Sequence, residues 1–382
     1  MAAWQPAGGR VPAERSARKQ SLPRDGMPPD LARPSPNKAT PTVMRYSQPM
    51  RELAHLPKAH LHLHLDGAMR RETYAELAAA RGLAAQLPTS FGSFDDFGET
   101  IVAAARVLDD PAVVERALDE ILADAARDGV VWLELSVWPG LFAGRLGSDL
   151  KAIDVVLLAG RRAAARHGVG FGLVVAANRD RGTDEALHVA QVAASRASWG
   201  VTGFGLDGDE AACPPAPFAA AFGIARAAGL QAVPHAGELA GADSVGAALD
   251  LLGATRIMHG VRAIEDEDLT RRLVASGVCL DVCPTSNVLL GVASSLETHP
   301  LPALLASGVR CSLNADDPLP FDVSILDEYE RCRSRMGLDD AQLADIARTS
   351  LLASAAPRDL VEQDLAAIVD WLATPAAGTG PS

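Results

Sequence analysis

Pro57-Lys58-Ala59-His60-Leu61-His62-Leu63-His64-Leu65-Asp66-Gly67-Ala68 alternates strictly between imidazole and leucine from His60 to Leu65. A strand turns successive side chains to opposite faces. His60, His62 and His64 therefore share one face, and Leu61, Leu63 and Leu65 the other. Two imidazoles spaced i, i+2 on one strand can reach a single metal ion. Asp66 and Gly67 end the strand and place a polar group beside that ion. A surface strand with a polar face would also alternate. It would not account for complementary groups at three later apolar runs: Pro234-His235-Ala236-Gly237-Glu238, Met258-His259-Gly260 and Asn314-Ala315-Asp316-Asp317-Pro318.

Apolar runs of strand length alternate with longer Ala-, Leu-, Arg- and Glu-rich stretches from Leu53 onward. The expected strands are His60–Leu65, Val130–Val137, Phe171–Ala176, Val201–Leu206, Leu230–His235, Arg256–His259, Val278–Cys283 and Arg310–Asn314. Helical stretches such as Pro111–Arg127, Leu150–His167 and Thr183–Ser198 lie between them. Gly168, Gly229, Gly253, Gly277 and Gly308 fall where helix C-caps belong. Successive β/α units of this kind close into an α/β (β/α)8 barrel of the TIM type. An open doubly wound sheet is the alternative, but no GxGxxG follows the first strand. The segment from Met69 to Asp110 is long for one connection and is expected to form a helical lid. Asp322 to Leu372 reads as two or three closing helices. The domain organisation expected is a disordered basic tail over 1–49, one barrel domain over 50–373 and a short unstructured tail over 374–382.

The composition excludes several classes. The net charge is −13 and aromatic residues make up 4% of the 382-residue chain, so a nucleic-acid partner is not expected. No apolar run is long enough to cross a membrane. Five cysteines, odd in number and unevenly spaced, argue against a disulfide framework and for a reducing, cytoplasmic home. Cys279 and Cys283 form one CxxxC pair without a second, which reads as two buried small residues.

In a barrel, the carboxyl ends of the strands meet on one face. His62, His64, Asp66, His235, Glu238, His259, Asp316 and Asp317 all fall at such ends. Three histidines and one carboxylate suit Zn2+ with an open position for water, which assigns His62, His64, His235 and Asp316 as ligands. Such an ion lowers the pKa of a bound water from ~15.7 toward ~7. No lysine is placed to bridge a second metal, so a single ion is expected. Glu238 follows His235 by one turn and suits a general acid if its pKa is raised. His259 reads either as a fourth imidazole ligand or as a group that orients the attacking water. Asp316 and Asp317 are adjacent and point apart, so one can bind metal while the other faces substrate. His60, one layer deeper, reads as a hydrogen-bonded core histidine. Cys283-Pro284-Thr285-Ser286-Asn287 reads as a structural turn, and His299 is given no role of its own.

These residues resemble the adenosine and AMP deaminase branch of the amidohydrolase superfamily. The resemblance rests on His62-Leu63-His64-Leu65-Asp66-Gly67, His235-Ala236-Gly237-Glu238, Arg256-Ile257-Met258-His259-Gly260-Val261, Cys283-Pro284-Thr285-Ser286-Asn287 and Asp316-Asp317-Pro318, in order and spacing. Weaker matches are Asp128-Gly129-Val130 with Glu134, Gly208-Asp209-Glu210 and His299-Pro300. The resemblance implies one zinc ion and hydrolysis of the 6-amino group of a small-molecule purine nucleoside, most simply adenosine or 2′-deoxyadenosine. It implies that Glu238 donates a proton to ring N1, that His259 positions the attacking oxygen and that Asp317 contacts N7 and helps accept the water proton. It also implies that Gly208 offers its backbone to N3 and that Asp66 holds the ribose 5′-hydroxyl, with His64 lining the substrate. The chain departs from the family pattern at Gly205-Leu206-Asp207-Gly208, where Asp-Leu-Ala-Gly is usual, at Ser136, where Arg is common, and at His60, where an acid is usual. The departures bear on the sugar side, where a modified adenosine or free adenine is the alternative substrate.

Overall fold

The computed structural model describes residues 51–375. Eight parallel strands run in sequence order: β1 (Lys58–His60), β2 (Val130–Val137), β3 (Gly170–Asn178), β4 (Val201–Asp207), β5 (Gln231–Ala236), β6 (Arg256–His259), β7 (Cys279–Val282) and β8 (Arg310–Leu313). Each pairs with the next, and helices fill the connections, giving a nearly closed (β/α)8 barrel. The expected tails fall on residues outside the described range, apart from Thr374 and Pro375; the Thr374 carbonyl accepts a hydrogen bond from Arg51 Nε at 2.9 Å.

The first strand differs from the expectation. It ends at His60 rather than Leu65. The amides of Leu61 and His62 turn to the side chain of Asn314, whose Oδ1 accepts both at 2.7 and 3.1 Å. Pairing with the last strand resumes only beyond this point. His64 N donates to Asp316 O at 3.0 Å, and Asp316 N donates to His62 O at 3.1 Å. A side-chain amide thus replaces part of the ladder at the seam of the barrel. The other seven strands lie where expected, with ends shifted by one or two residues.

The helix ends follow local chemistry. Asp110 caps Pro111–Arg127 by accepting from Ala112 N at 2.7 Å. Gly168 and Gly277 end their helices in the left-handed conformation, which costs little only without a Cβ. Three helices follow β8: Ile325–Met336, Asp340–Ala353 and Arg358–Ala373. Ser324 and Asp339 open the first two with capping boxes. Ser350, on the second, accepts from Ala59 N at 2.9 Å and so anchors that helix to β1.

Deep in the barrel, the buried Arg256 guanidinium pairs with Glu134 at 2.8 Å and Asp281 at 2.9 Å. Removing either acid would leave a buried cation under-compensated. At the opposite end from the candidate site, buried Lys58 donates to Leu53 O and Asp128 O at 3.0 and 2.6 Å. The Asp128 and Glu134 matches noted in the sequence therefore support the framework. The long first connection forms helices Arg71–Ala80 and Phe94–Ala105. Phe97 of the second stacks on Phe321, with ring centroids 5.3 Å apart, and packs with Ala315 and Val323. This small cluster ties the expected lid to the segment carrying Asp316 and Asp317. All five cysteines are unpaired. Among the described residues, no helix is long and apolar enough to cross a membrane.

Candidate active site

The residues singled out at the strand ends converge. Donor atoms of His62, His64, His235 and Asp316 all lie within 4.8 Å of one another. His62 Nε2 sits 3.1 Å from Asp316 Oδ1 and 3.2 Å from His64 Nε2, and His64 Nε2 lies 3.4 Å from Asp316 Oδ1. Hydrogen bonding on the far side of the rings settles what these atoms offer. His62 Nδ1 faces the Asp281 carbonyl at 3.2 Å, and His235 Nδ1 faces the Leu206 carbonyl at 3.1 Å. A carbonyl only accepts, so both Nδ1 atoms carry the proton and both Nε2 atoms keep a lone pair. Lone pairs and a carboxylate at such separations repel unless a cation lies among them. The donor set therefore fits a divalent ion, and its N3O composition suits zinc.

A second grouping of His62, His259 and Cys283 fits less well. It would need His62 Nδ1, which the Asp281 carbonyl occupies, and a Cys283 thiolate, which burial disfavours by pushing the thiol pKa far up.

The backbone is strained at two of these strand-end residues. His259 and Asp316 have φ of 62° and 60°, unusual for residues with a Cβ. Such conformations cost on the order of 1–3 kcal/mol and persist only where the surroundings enforce them. His259 turns its Nε2 toward Glu238 Oε1 at 3.5 Å and Asp316 Oδ2 at 3.7 Å. Its Nδ1 is 3.1 Å from Asn287 Nδ2.

Glu238 is buried, and its pKa is raised well above the usual carboxylate value. Burial is the main cause, followed by the charges of Asp316 and Glu210, with Arg179 opposing. Its position is imposed by Glu210. That carboxylate accepts four successive backbone N–H groups, from Gly237, Glu238, Leu239 and Ala240, at 2.6, 3.0, 2.9 and 3.0 Å. Arg179 supports the same turn from below, donating to the carbonyls of His235 and Cys213.

Asp317 lies against Gly67. A Cβ at Gly67 would fall 1.8 Å from Asp317 Oδ1, so only glycine lets this carboxyl approach the first loop. That oxygen is buried and has no hydrogen-bond partner among the described residues. Burial, then Asp316 and Asp66, raise the pKa of Asp317. Burial likewise lifts Asp66 to about 7. Gly208 follows β4 with φ of 97°, and a Cβ there would meet Asn178 Oδ1 at 2.9 Å. His60 lies beneath the cluster and accepts from Ala315 N at 3.1 Å, as a core histidine.

Four residues given no individual role in the sequence belong to this constellation. Asp207 places Oδ1 3.2 Å from His235 Nδ1 and Oδ2 4.0 Å from His64 Nδ1. Its signal was present as the departure Gly205-Leu206-Asp207-Gly208. Glu210 was visible only as the end of a weak motif. Asn287 lay in a turn read as structural. His299 is buried and bonds Asn287 Oδ1 through Nε2 at 3.1 Å.

Residues 57–371 match the family described as adenosine deaminase. The chain belongs to the adenosine deaminase family. It is 40% identical over 340 residues to a Streptomyces coelicolor protein provisionally named adenosine/adenine deaminase, covering 85% of this chain and 98% of the relative. Among solved structures, adenine deaminase from Arthrobacter aurescens superposes with a TM-score of 0.78 at 31% identity, covering 83% of this chain and 99% of its own. A zinc-bound amidohydrolase from Burkholderia ambifaria follows at 0.76 and 27%, covering 88% and 98%. The chain is thus a deaminase-type hydrolase on a metal-dependent amidohydrolase barrel.

Proposed function

We propose that this enzyme removes the 6-amino group of an adenine ring by hydrolysis, with adenosine and 2′-deoxyadenosine as first substrates. The observation that carries the reading is the buried Glu238, its pKa raised by that burial, held beside a donor set of three histidines and Asp316. His62, His64, His235 and Asp316 would hold one zinc ion, which supplies a nucleophilic water near neutral pH when bound.

The chain's own groups perform the rest. Glu238 donates its proton to ring N1, which makes C6 electrophilic. His259 and Asp317 flank the oxygen that adds to C6, and Asp317 also meets N7. Burial favours the protonated form of Asp317, which donates to N7; a divalent cation on Asp316 opposes that push by offsetting the neighbouring charge. Of the two water protons, one leaves with the amino group as ammonia and the other returns to Glu238. The N1 proton stays on the 6-oxo product, so the enzyme is restored. The Gly208 amide meets ring N3, His64 lines the substrate and Asp66 takes the ribose 5′-hydroxyl. The catalytic unit is a single domain over 50–373. The unpaired cysteines suit a cytoplasmic setting, and the net charge of −13 suits no nucleic-acid partner.

Free adenine is the second reading, favoured by the adenine deaminase name of the Arthrobacter aurescens protein. Ammonia release by the zinc-loaded protein from adenosine, 2′-deoxyadenosine, adenine and 5′-methylthioadenosine decides between them. A higher kcat/KM on adenosine supports the first reading. Turnover of adenine alone replaces it with the second. Silence on all four overturns both.

A further inference from the structure

The geometry points to Asn287 and His299 as positioning residues that hold His259 in its Nε2–H tautomer, so that it enters the site as a hydrogen-bond donor. The argument starts from a backbone group whose role is unambiguous. Leu301 N–H donates to His299 Nδ1 at 3.1 Å. His299 Nδ1 is therefore an acceptor, and in a neutral ring the proton must sit on Nε2. His299 is buried away from any acid, and burial lowers its pKa to about 4, so the ring is neutral at physiological pH.

His299 Nε2–H then donates to Asn287 Oδ1 at 3.1 Å. This fixes which end of the Asn287 amide faces which neighbour. The Nδ2 end is left against His259 Nδ1, also at 3.1 Å. An amide NH2 only donates, so His259 Nδ1 accepts and its proton resides on Nε2. That N–H points toward Glu238 and Asp316. A ring whose Nδ1 accepts cannot be the doubly protonated cation, so His259 is neutral with its single proton on Nε2.

Two consequences follow. His259 has no free lone pair, because Nδ1 is engaged by Asn287 and Nε2 is protonated. The reading of His259 as a fourth metal ligand is thereby removed. His259 also acts as a donor to the oxygen that attacks C6, not as a base that takes its proton. This consequence rests on the proposed deamination; the tautomer does not. The link runs from Leu301 through His299 and Asn287, all within one stretch of chain, to His259 on the β6 end, and it uses a histidine outside the metal cluster.

The test is spectroscopic and needs no substrate. Zinc-loaded protein carrying 15N-histidine is examined by long-range 1H–15N correlation, with the His259 ring assigned by its loss in His259→Gln. The expected wild-type pattern has a protonated Nε2 and an unprotonated Nδ1. Asn287→Asp puts an acceptor against Nδ1 and should move the proton there, with zinc content unchanged and kcat/KM on the best 6-aminopurine falling by ~10²-fold or more. A wrong tautomer at a catalytic histidine can cost as much as ~10⁴-fold. His299→Phe frees the Asn287 amide to rotate and should yield a mixture of tautomers. An Nδ1–H ring in the wild type overturns the inference by itself, whether or not the variants fold. Retention of Nε2–H in Asn287→Asp overturns it as well. An Nε2–H ring without turnover of any 6-aminopurine would leave the tautomer standing and sink the proposed reaction instead.

Discussion

Replacing Glu210 with glutamine tests whether Glu238, the proposed general acid, is placed and tuned by a neighbouring carboxylate. Glu210 Oε1 accepts one backbone N–H, from Gly237, and Oε2 accepts three, from Glu238, Leu239 and Ala240. A glutamine can keep its oxygen on the three-donor side only by setting its NH2 against Gly237 N–H. One charge-assisted bond is lost, worth ~1.5–3 kcal/mol, and the other three weaken because ionised acceptors bind roughly twice as strongly as neutral ones. A net loss of ~3 kcal/mol in holding the turn corresponds to about a hundredfold fall in kcat/KM, at 1.36 kcal/mol per factor of ten. The charge acts separately. Glu210 helps raise the Glu238 pKa, after burial and Asp316, and the proposed reaction uses Glu238 in its protonated form. Removing the Glu210 charge lowers that pKa, so the variant should lose activity at a lower pH on the alkaline side of its profile. The assay is ammonia release across pH on the zinc-loaded variant, with metal content measured alongside. An unchanged kcat/KM with an unmoved alkaline limb would refute the reasoning.

Asp207→Asn should weaken zinc binding by ~10–100-fold in competition with a chelator, because the carboxylate beside His235 Nδ1 and His64 Nδ1 raises the basicity of both rings. Unaltered affinity would show that the Leu206 carbonyl alone orients His235. Asp66→Ala should lower kcat/KM for adenosine by roughly tenfold or more and leave 5′-deoxyadenosine little changed, since only the former presents a hydroxyl to that carboxyl. Equal losses on both nucleosides would take Asp66 out of the sugar site.

The four candidate metal donors that the fold brings together were legible because their chemistry is local. His62 and His64 stand at an i, i+2 spacing in an extended segment, and each remaining candidate ligand announces itself as a polar group ending an apolar run. The barrel was legible for the same reason, since β/α alternation and glycine C-caps are read within windows of a few residues. The short β1 was not, because what ends it is the Asn314 side chain, more than 250 residues away, taking over the amides of Leu61 and His62. Glu210 looks like an ordinary strand-end acid until folding lays it under the Gly237–Ala240 turn. His299 looks like a loop histidine until it meets Asn287. Residue type and spacing decide which groups can bind a metal or carry a proton. Which hydrogen-bond partner each group finds, and hence its tautomer, charge and aim, depends on contacts between distant segments that exist only once the barrel has closed.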